Sequence, residues 1–320
     1  MVKTRQKRTH RFFLGVLVGV FLLAIGGILA FFICTSQIPR GRLGIVLQGN
    51  PTMFVSWESD RSRFAIFLLP ESMQIEAVQG YGWYGLDALW KLDLMDRHGG
   101  TVYKNSIQDA LASPVRWYAT GVNTADQVTD KGSAIGTIQH RLSFLNIFHM
   151  IVSGKTNIQP FEAWYVWNQI QQMGSDSMTL YDFQHGQLSS DITMPDETII
   201  PRFDSAKYDA LVGNTLEDTP FRQEGLRIAL YNTTGTPGIA QKIARLIEHM
   251  GGFVVFVGNE EHPTMGNCEV TGENSMLSSR TAQFFRTFYG CSLHETLEGK
   301  GRADIIVRLG TGIEKQYMSK

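Results

Sequence analysis

Residues 228–259 read IALYNTTGTPGIAQKIARLIEHMGGFVVFVGN. An alternating run, Arg227 to Asn232, has the β-branched character of a strand and enters a glycine-rich turn. A helical pattern follows at once. Thr236 is placed as its N-cap and Pro237 at its first position. Ile239, Ile243, Leu246, Ile247 and Met250 recur at helical spacing and make one apolar face. Gly251-Gly252 end that helix, and Phe253 to Val257 is an apolar run of the kind found in buried strands. A second helix is expected over Ser279 to Tyr289, and a last strand at Asp304 to Val307, closed by Leu309-Gly310. Strand, helix, strand, helix, strand describes a small α/β layer.

The turn raises the question of phosphate binding. A Walker loop needs G-x-x-x-x-G-K-[ST], and this turn has no lysine. A dinucleotide fingerprint needs three spaced glycines, and only Gly235 and Gly238 are present, with Asn232 near the first place. Helix N-termini attract anions, but that alone does not make a site. The turn therefore reads as a tight corner. Ser153-Gly154-Lys155-Thr156 looks like the end of a Walker loop, yet its first glycine would fall on His149.

Upstream, residues 12–33 read FFLGVLVGVFLLAIGGILAFFI, 22 residues without a charge. A helix needs about 20 such residues to cross a bilayer. Lys3, Arg5, Lys7, Arg8 and Arg11 precede it and mark the cytoplasmic side. A cleaved signal peptide is the rival, but its apolar region runs about 7–15 residues before an A-x-A-like site. No such site follows here, so an uncleaved anchor is expected, with residues 1–11 in the cytoplasm and the body outside it. Five of the 29 Lys and Arg lie in that tail, leaving 24 against 30 Asp and Glu. A mildly acidic body argues against nucleic-acid binding, which needs a basic face. With 320 residues, 43% of them hydrophobic, the chain has room for about two domains.

Cys34 sits where the anchor ends; Cys268 and Cys291 lie far downstream. An oxidising exterior permits the latter two to pair, and two separate buried thiols is an equal reading. No cysteine–histidine cluster has zinc spacing. Asp87, Asp93, Asp96 and His98 read as surface groups, because their spacing brings only two onto one helical face. No metal or cofactor is expected.

Between anchor and C-terminal layer, strands are expected at Leu43–Leu47, Met53–Trp57, Phe64–Leu69 and Val115–Tyr118. Helices are expected at Gly85–Asp96, Lys104–Leu111, Leu142–Val152 and Phe161–Met173, with Gly99-Gly100 as a break. Asp191 to Arg202 reads as an exposed loop. Strands and helices mix throughout this region, so its class is α/β or α+β, and the chain as a whole is expected to be α/β.

The segment from Ile228 to Asn259, with ADIIVRLG at 303–310, resembles the C-terminal domain of LytR-type envelope proteins. Asn232, Gly235, Gly238, Gly252-Phe253 and Leu309-Gly310 carry that likeness. In layout, residues 41–224 resemble the LytR-CpsA-Psr domain, an α/β sandwich. Leu69-Pro70-Glu71-Ser72-Met73, Gly99-Gly100 and Pro114 to Tyr118 occupy the places of its motifs. The resemblance implies domains at 41–224 and 225–314 behind an anchor at 12–33. It also implies membrane, polyprenyl-phosphate lipid, cell-wall glycopolymer and envelope proteins as partners. Enzymes of that kind move glycopolymer from a polyprenyl-pyrophosphate carrier to the wall. Their leaving group needs cations, and arginine's planar fork suits phosphate. Where the family places its arginine, this chain has Glu71, and where it has aspartate, Ser72. Only Gln139-His140-Arg141 is left of the second signature. The expectation is thus a catalytically degenerate binding or scaffold protein. The alternative is an active phosphotransferase using displaced cations. Arg63, Arg141 and His140 are the candidate lipid-phosphate ligands, and no catalytic residue is assigned. Trp83, Trp90, Trp117, Trp164 and Trp167 either line a lipid tunnel or pack the core.

Overall fold

A computed structural model describes residues 17, 21, 26, 38–121, 128, 130–184, 188–193, 197, 199–296 and 302–317. The chain falls into two compact units, residues 1–38 and 39–320. Apart from the helical Leu17, Phe21 and Gly26, the apolar run 12–33 lies outside the described residues, as do the basic tail and Cys34. Among the described residues no helix is long and apolar enough to cross a membrane.

The strands are β1 (Arg42–Leu47), β2 (Thr52–Glu58), β3 (Arg63–Leu69), β4 (Gln74–Ala77), β5 (Gly82–Gly85), β6 (Trp117–Ala119), β7 (Met178–Asp182), β8 (Ser189–Thr193), β9 (Ile199–Phe203), β10 (Arg227–Asn232), β11 (Phe253–Asn259), β12 (Cys268–Gly272), β13 (Ser292–Glu295) and β14 (Ile305–Leu309). The α-helices are α1 (Leu86–Met95), α2 (Thr101–Leu111), α3 (Lys131–Arg141), α4 (Phe144–Val152), α5 (Pro160–Gln171), α6 (Ser205–Val212), α7 (Thr219–Glu224), α8 (Ile239–His249), α9 (Asn274–Leu277), α10 (Arg280–Phe284) and α11 (Thr311–Tyr317).

The central sheet has the order β6-β1-β2-β3-β7. β1, β2 and β3 form an antiparallel meander, while β6 runs parallel to β1 and β7 parallel to β3. Every residue of β1 and β2 is buried, and all of β3 but Arg63. Burial on both faces is why these strands read as apolar runs without alternation. Trp57 and Trp117 stack in this interior at 5.6 Å, so Trp117 belongs to the core.

A second sheet, β5-β4-β9-β8, corrects the sequence reading. Asp191 to Arg202, expected as a loop, supplies most of an antiparallel pair running from Ser189↔Phe203 to Thr193↔Ile199. Its prolines argued for a loop. Pro201 is nonetheless accommodated in β9, which shares only one registered position with β4.

The third sheet, β11-β10-β14-β12-β13, is built wholly from residues after 226. β10 is parallel to both β11 and β14, and β12 runs antiparallel to β14. α8 starts at Ile239 behind Gly238, whose φ of 85° is left-handed, so the cap lies two residues beyond the expected Thr236. Cys268 and Cys291 are joined in a disulfide across the starts of β12 and β13. One apolar cluster runs from Val46 and Phe67 to Ile228, Val307 and Ile313, so one face of the central sheet shares a core with the third sheet. Arg245 of α8 donates to the carbonyls of Asp109 and Ala110 at 2.9 and 3.0 Å, tying the third sheet's helix to α2.

Candidate functional site

The strand directions gather chemistry at one edge. β1, β3, β6 and β7 all run the same way, so their carboxyl ends face one side of the sheet. Crevices outside such ends are where open α/β sheets bind ligands. The turn after β3 closes there with Met73 N–H donating to the Pro70 carbonyl at 3.0 Å. Glu71 in this turn is half-buried and Ser72 exposed. The neighbouring cation, Lys91, is held by Asp87 at 2.6 Å. Asp87 raises the Lys91 pKa first by hydrogen bonding and then by charge, and Glu71 adds a smaller pull. Tyr103 and Thr52 meet at the same end, hydroxyl to hydroxyl, 3.3 Å apart.

Arg141 also reaches this end. It closes α3, a helix the sequence reading missed because two glycines weaken its propensity. The signal that marks α3 is its N-terminus. Asp130 accepts from Ser133 N–H at 2.7 Å, and Ser133 Oγ accepts from Asp130 N–H at 3.0 Å. This is a capping box, and the hydrogen bonds hold the Asp130 carboxyl below its usual range. Arg141 is 2% exposed. Its guanidinium lies against Gly49, where a Cβ would fall 2.8 Å from Nη1. With Leu47, Gln48, Thr120, Leu142 and Met150 it lines a cavity of about 10 Å³, room for one water at most. His140 is exposed, and its carbonyl accepts from Asn146 Nδ2 at 2.7 Å.

Arg63 stands at the other end of β3. Its Nε and Nη2 donate to Glu58 Oε2 at 2.9 and 2.6 Å, and Nη2 also meets Thr219 Oγ1. Glu58 is fully buried and accepts from Thr219 N–H at 3.1 Å as well. A seven-residue strand separates that end from the β1–β2 turn at Gly49, about 20 Å. The structure thus brings His140 and Arg141 together and places Arg63 apart.

An apolar surface adjoins Arg141. Ser143 caps α4, which turns Ile147 and Met150 inward and Leu145, Phe148 and Val152 outward, 80%, 56% and 73% exposed. Trp164 of α5 is also exposed.

Two other motifs can be placed in the fold. Asp93, expected at the surface, is fully buried and accepts from Gly100 and Tyr103 N–H at 2.7 and 2.6 Å. It caps the start of α2 after the left-handed Gly99-Gly100 pair. Among the described residues no acidic, histidine or cysteine group has a metal-binding arrangement. In the glycine-rich turn, Asn232 Oδ1 accepts from Thr234 N–H, and Thr236 Oγ1 donates to Glu314 Oε1 at 2.9 Å. A carboxylate therefore stands where a phosphate would have to approach.

No family model and no curated protein matches the chain. Among solved structures, similar chains include TagV of B. subtilis, 9% identical over 67% of this chain and 99% of that one, TM-score 0.41. A regulator of Enterococcus faecalis described as transcriptional is 10% identical over 67% and 89%, TM-score 0.39. The LytR-CPS2A-psr family protein TagT, solved with octaprenyl pyrophosphate, is 11% identical over 55% and 91%, TM-score 0.37. Likenesses of this size leave the site to be read from the chain's own residues.

Proposed function

We propose that this chain is a membrane-tethered, extracytoplasmic envelope protein that binds a polyprenyl-phosphate lipid as a scaffold in glycopolymer attachment, without performing the transfer. One observation carries the reading: the carboxyl end of the central sheet presents Glu71, while Arg63 and Arg141 are divided between opposite ends of the β2–β3 hairpin. A diphosphate leaving group needs converging cations. One guanidinium buried beside a cavity of about 10 Å³ does not supply them.

Binding needs less. The exposed His140 next to the outward row Leu145, Phe148 and Val152 offers a polar contact beside an apolar one, which suits a phosphate on a hydrocarbon chain. The Cys268–Cys291 bond agrees with an oxidising compartment, as an outward-facing body requires. The place of Arg141 at the carboxyl end favours the second reading, an active phosphotransferase.

Mass spectrometry of lipids extracted from the purified full chain tests the proposal. Co-purified polyprenyl phosphate is expected, and its absence from repeated preparations would remove the lipid from the reading.

A further inference from the structure

A second pocket lies away from the sheet end, between α2 and the C-terminal part of the chain. Its volume is about 250 Å³. Lys104, Asn105 and Gln108 line it from one face of α2, Arg116 from the segment before β6, and Phe288 and Gln316 from the far side. Drug-sized ligands occupy clefts from about 300 Å³ upward, so the occupant is smaller.

Some of the polar groups of this pocket are left without partners by the fold, and others are held by it. Among the described residues, Lys104 has no carboxylate within ion-pairing distance. The charged group acting on it is Arg116; the pocket's other lining residues bring none. Burial, and next Arg116, lower the Lys104 pKa to about 8. Asn105 is 4% exposed, and among the described residues its side-chain amide has no hydrogen-bond partner. Gln108 differs, since its Oε1 accepts from Val115 N–H at 3.2 Å. Arg116 gives Nε and Nη2 to Glu162, at 3.0 and 2.6 Å, which fixes its guanidinium. An unpaired ammonium, a fixed guanidinium and the amides of Asn105 and Gln316 together ask for an oxyanion that also carries hydroxyls.

We infer that this pocket binds a small hydroxylated phosphate ester, its phosphate between Lys104 and Arg116 and its hydroxyls on Asn105 and Gln316. The site is separate from the sheet end and stands whether or not that end binds lipid.

Calorimetric titration of the full chain in detergent, with glycerol 3-phosphate and glucose 6-phosphate as probes, tests this. Both are expected to bind, and uncharged glucose is not. Lys104→Met is expected to weaken binding by about tenfold or more, without lowering Tm, because it removes a desolvated charge. Asn105→Leu, of similar volume, is expected to do the same. Affinity should fall as pH rises from 7 to 9 and Lys104 loses its proton. Equal binding by Lys104→Met, equal binding of glucose, or no binding of either ester would overturn the inference.

Discussion

Arg63 shows how one side chain separates a ligand role from a structural one. Its guanidinium serves Glu58, a fully buried carboxylate at the start of the β2–β3 turn. Removing one partner of such a pair leaves the other desolvated and unmatched. Arg63→Met is therefore expected to lower stability by about 1–3 kcal/mol, read by denaturant unfolding, while the amount of co-purified polyprenyl phosphate stays unchanged. A loss of lipid at unchanged stability would return Arg63 to the ligand set. His249 gives a second residue-scale expectation. Burial lowers its pKa first, opposed by Asp209, whose Oδ1 lies 3.1 Å from Nε2. With the folded value below the unfolded 6.5, the unfolded chain takes up the proton first. Stability is thus expected to fall as pH drops below about 6.5, and His249→Phe to flatten that decline in a pH series of melting curves. Neither role was legible in sequence, because a charge announces its type and never its partner. The position of Glu71 was legible, since it follows the apolar run that forms β3.

The elements that could be read were those with one strong pattern. β10 and α8 follow their periodicity, and β1 to β3 their apolar runs. The elements that escaped were short or carried mixed signals. α3 holds two glycines and is fixed by the Asp130–Ser133 box. β12 and β13 have five and four residues and are defined by neighbours far away in sequence. The disulfide ties these two strands across 23 residues, and neither the pairing nor its alternative could be chosen from spacing. Replacing both Cys268 and Cys291 by serine is expected to cost about 3 kcal/mol, seen as a lower melting temperature that reducing agent reproduces in the parent chain. α4 supplies a test of lipid contact. Leu145→Glu with Phe148→Glu alters two outward positions, so unfolding should change by no more than about 0.5 kcal/mol per site. Co-purified polyprenyl phosphate should fall several-fold. Retention of the lipid at the parent level would exclude α4 from the contact.

At the scale of the whole molecule, three mixed sheets with helices lie in one compact unit, one apolar cluster links members of all three, and the α/β class was readable. The sequence boundary near residue 225 separates the sheets. Packing across it, through Arg245 to α2 and through the common apolar cluster, was not readable, because it depends on which faces meet. The strand end and its Glu71 could be placed from the sequence, while the distance between Arg63 and Arg141 could not, because it depends on how the strands pair. Those features are the basis of the proposal that the body holds ligands and that its sheet end does not release a diphosphate. The direct trial incubates the purified full chain with a polyprenyl-diphosphate-linked glycopolymer, peptidoglycan and Mg²⁺, and follows release of polyprenyl phosphate. No release above the protein-free control is predicted. Turnover that Arg141→Ala abolishes would contradict it.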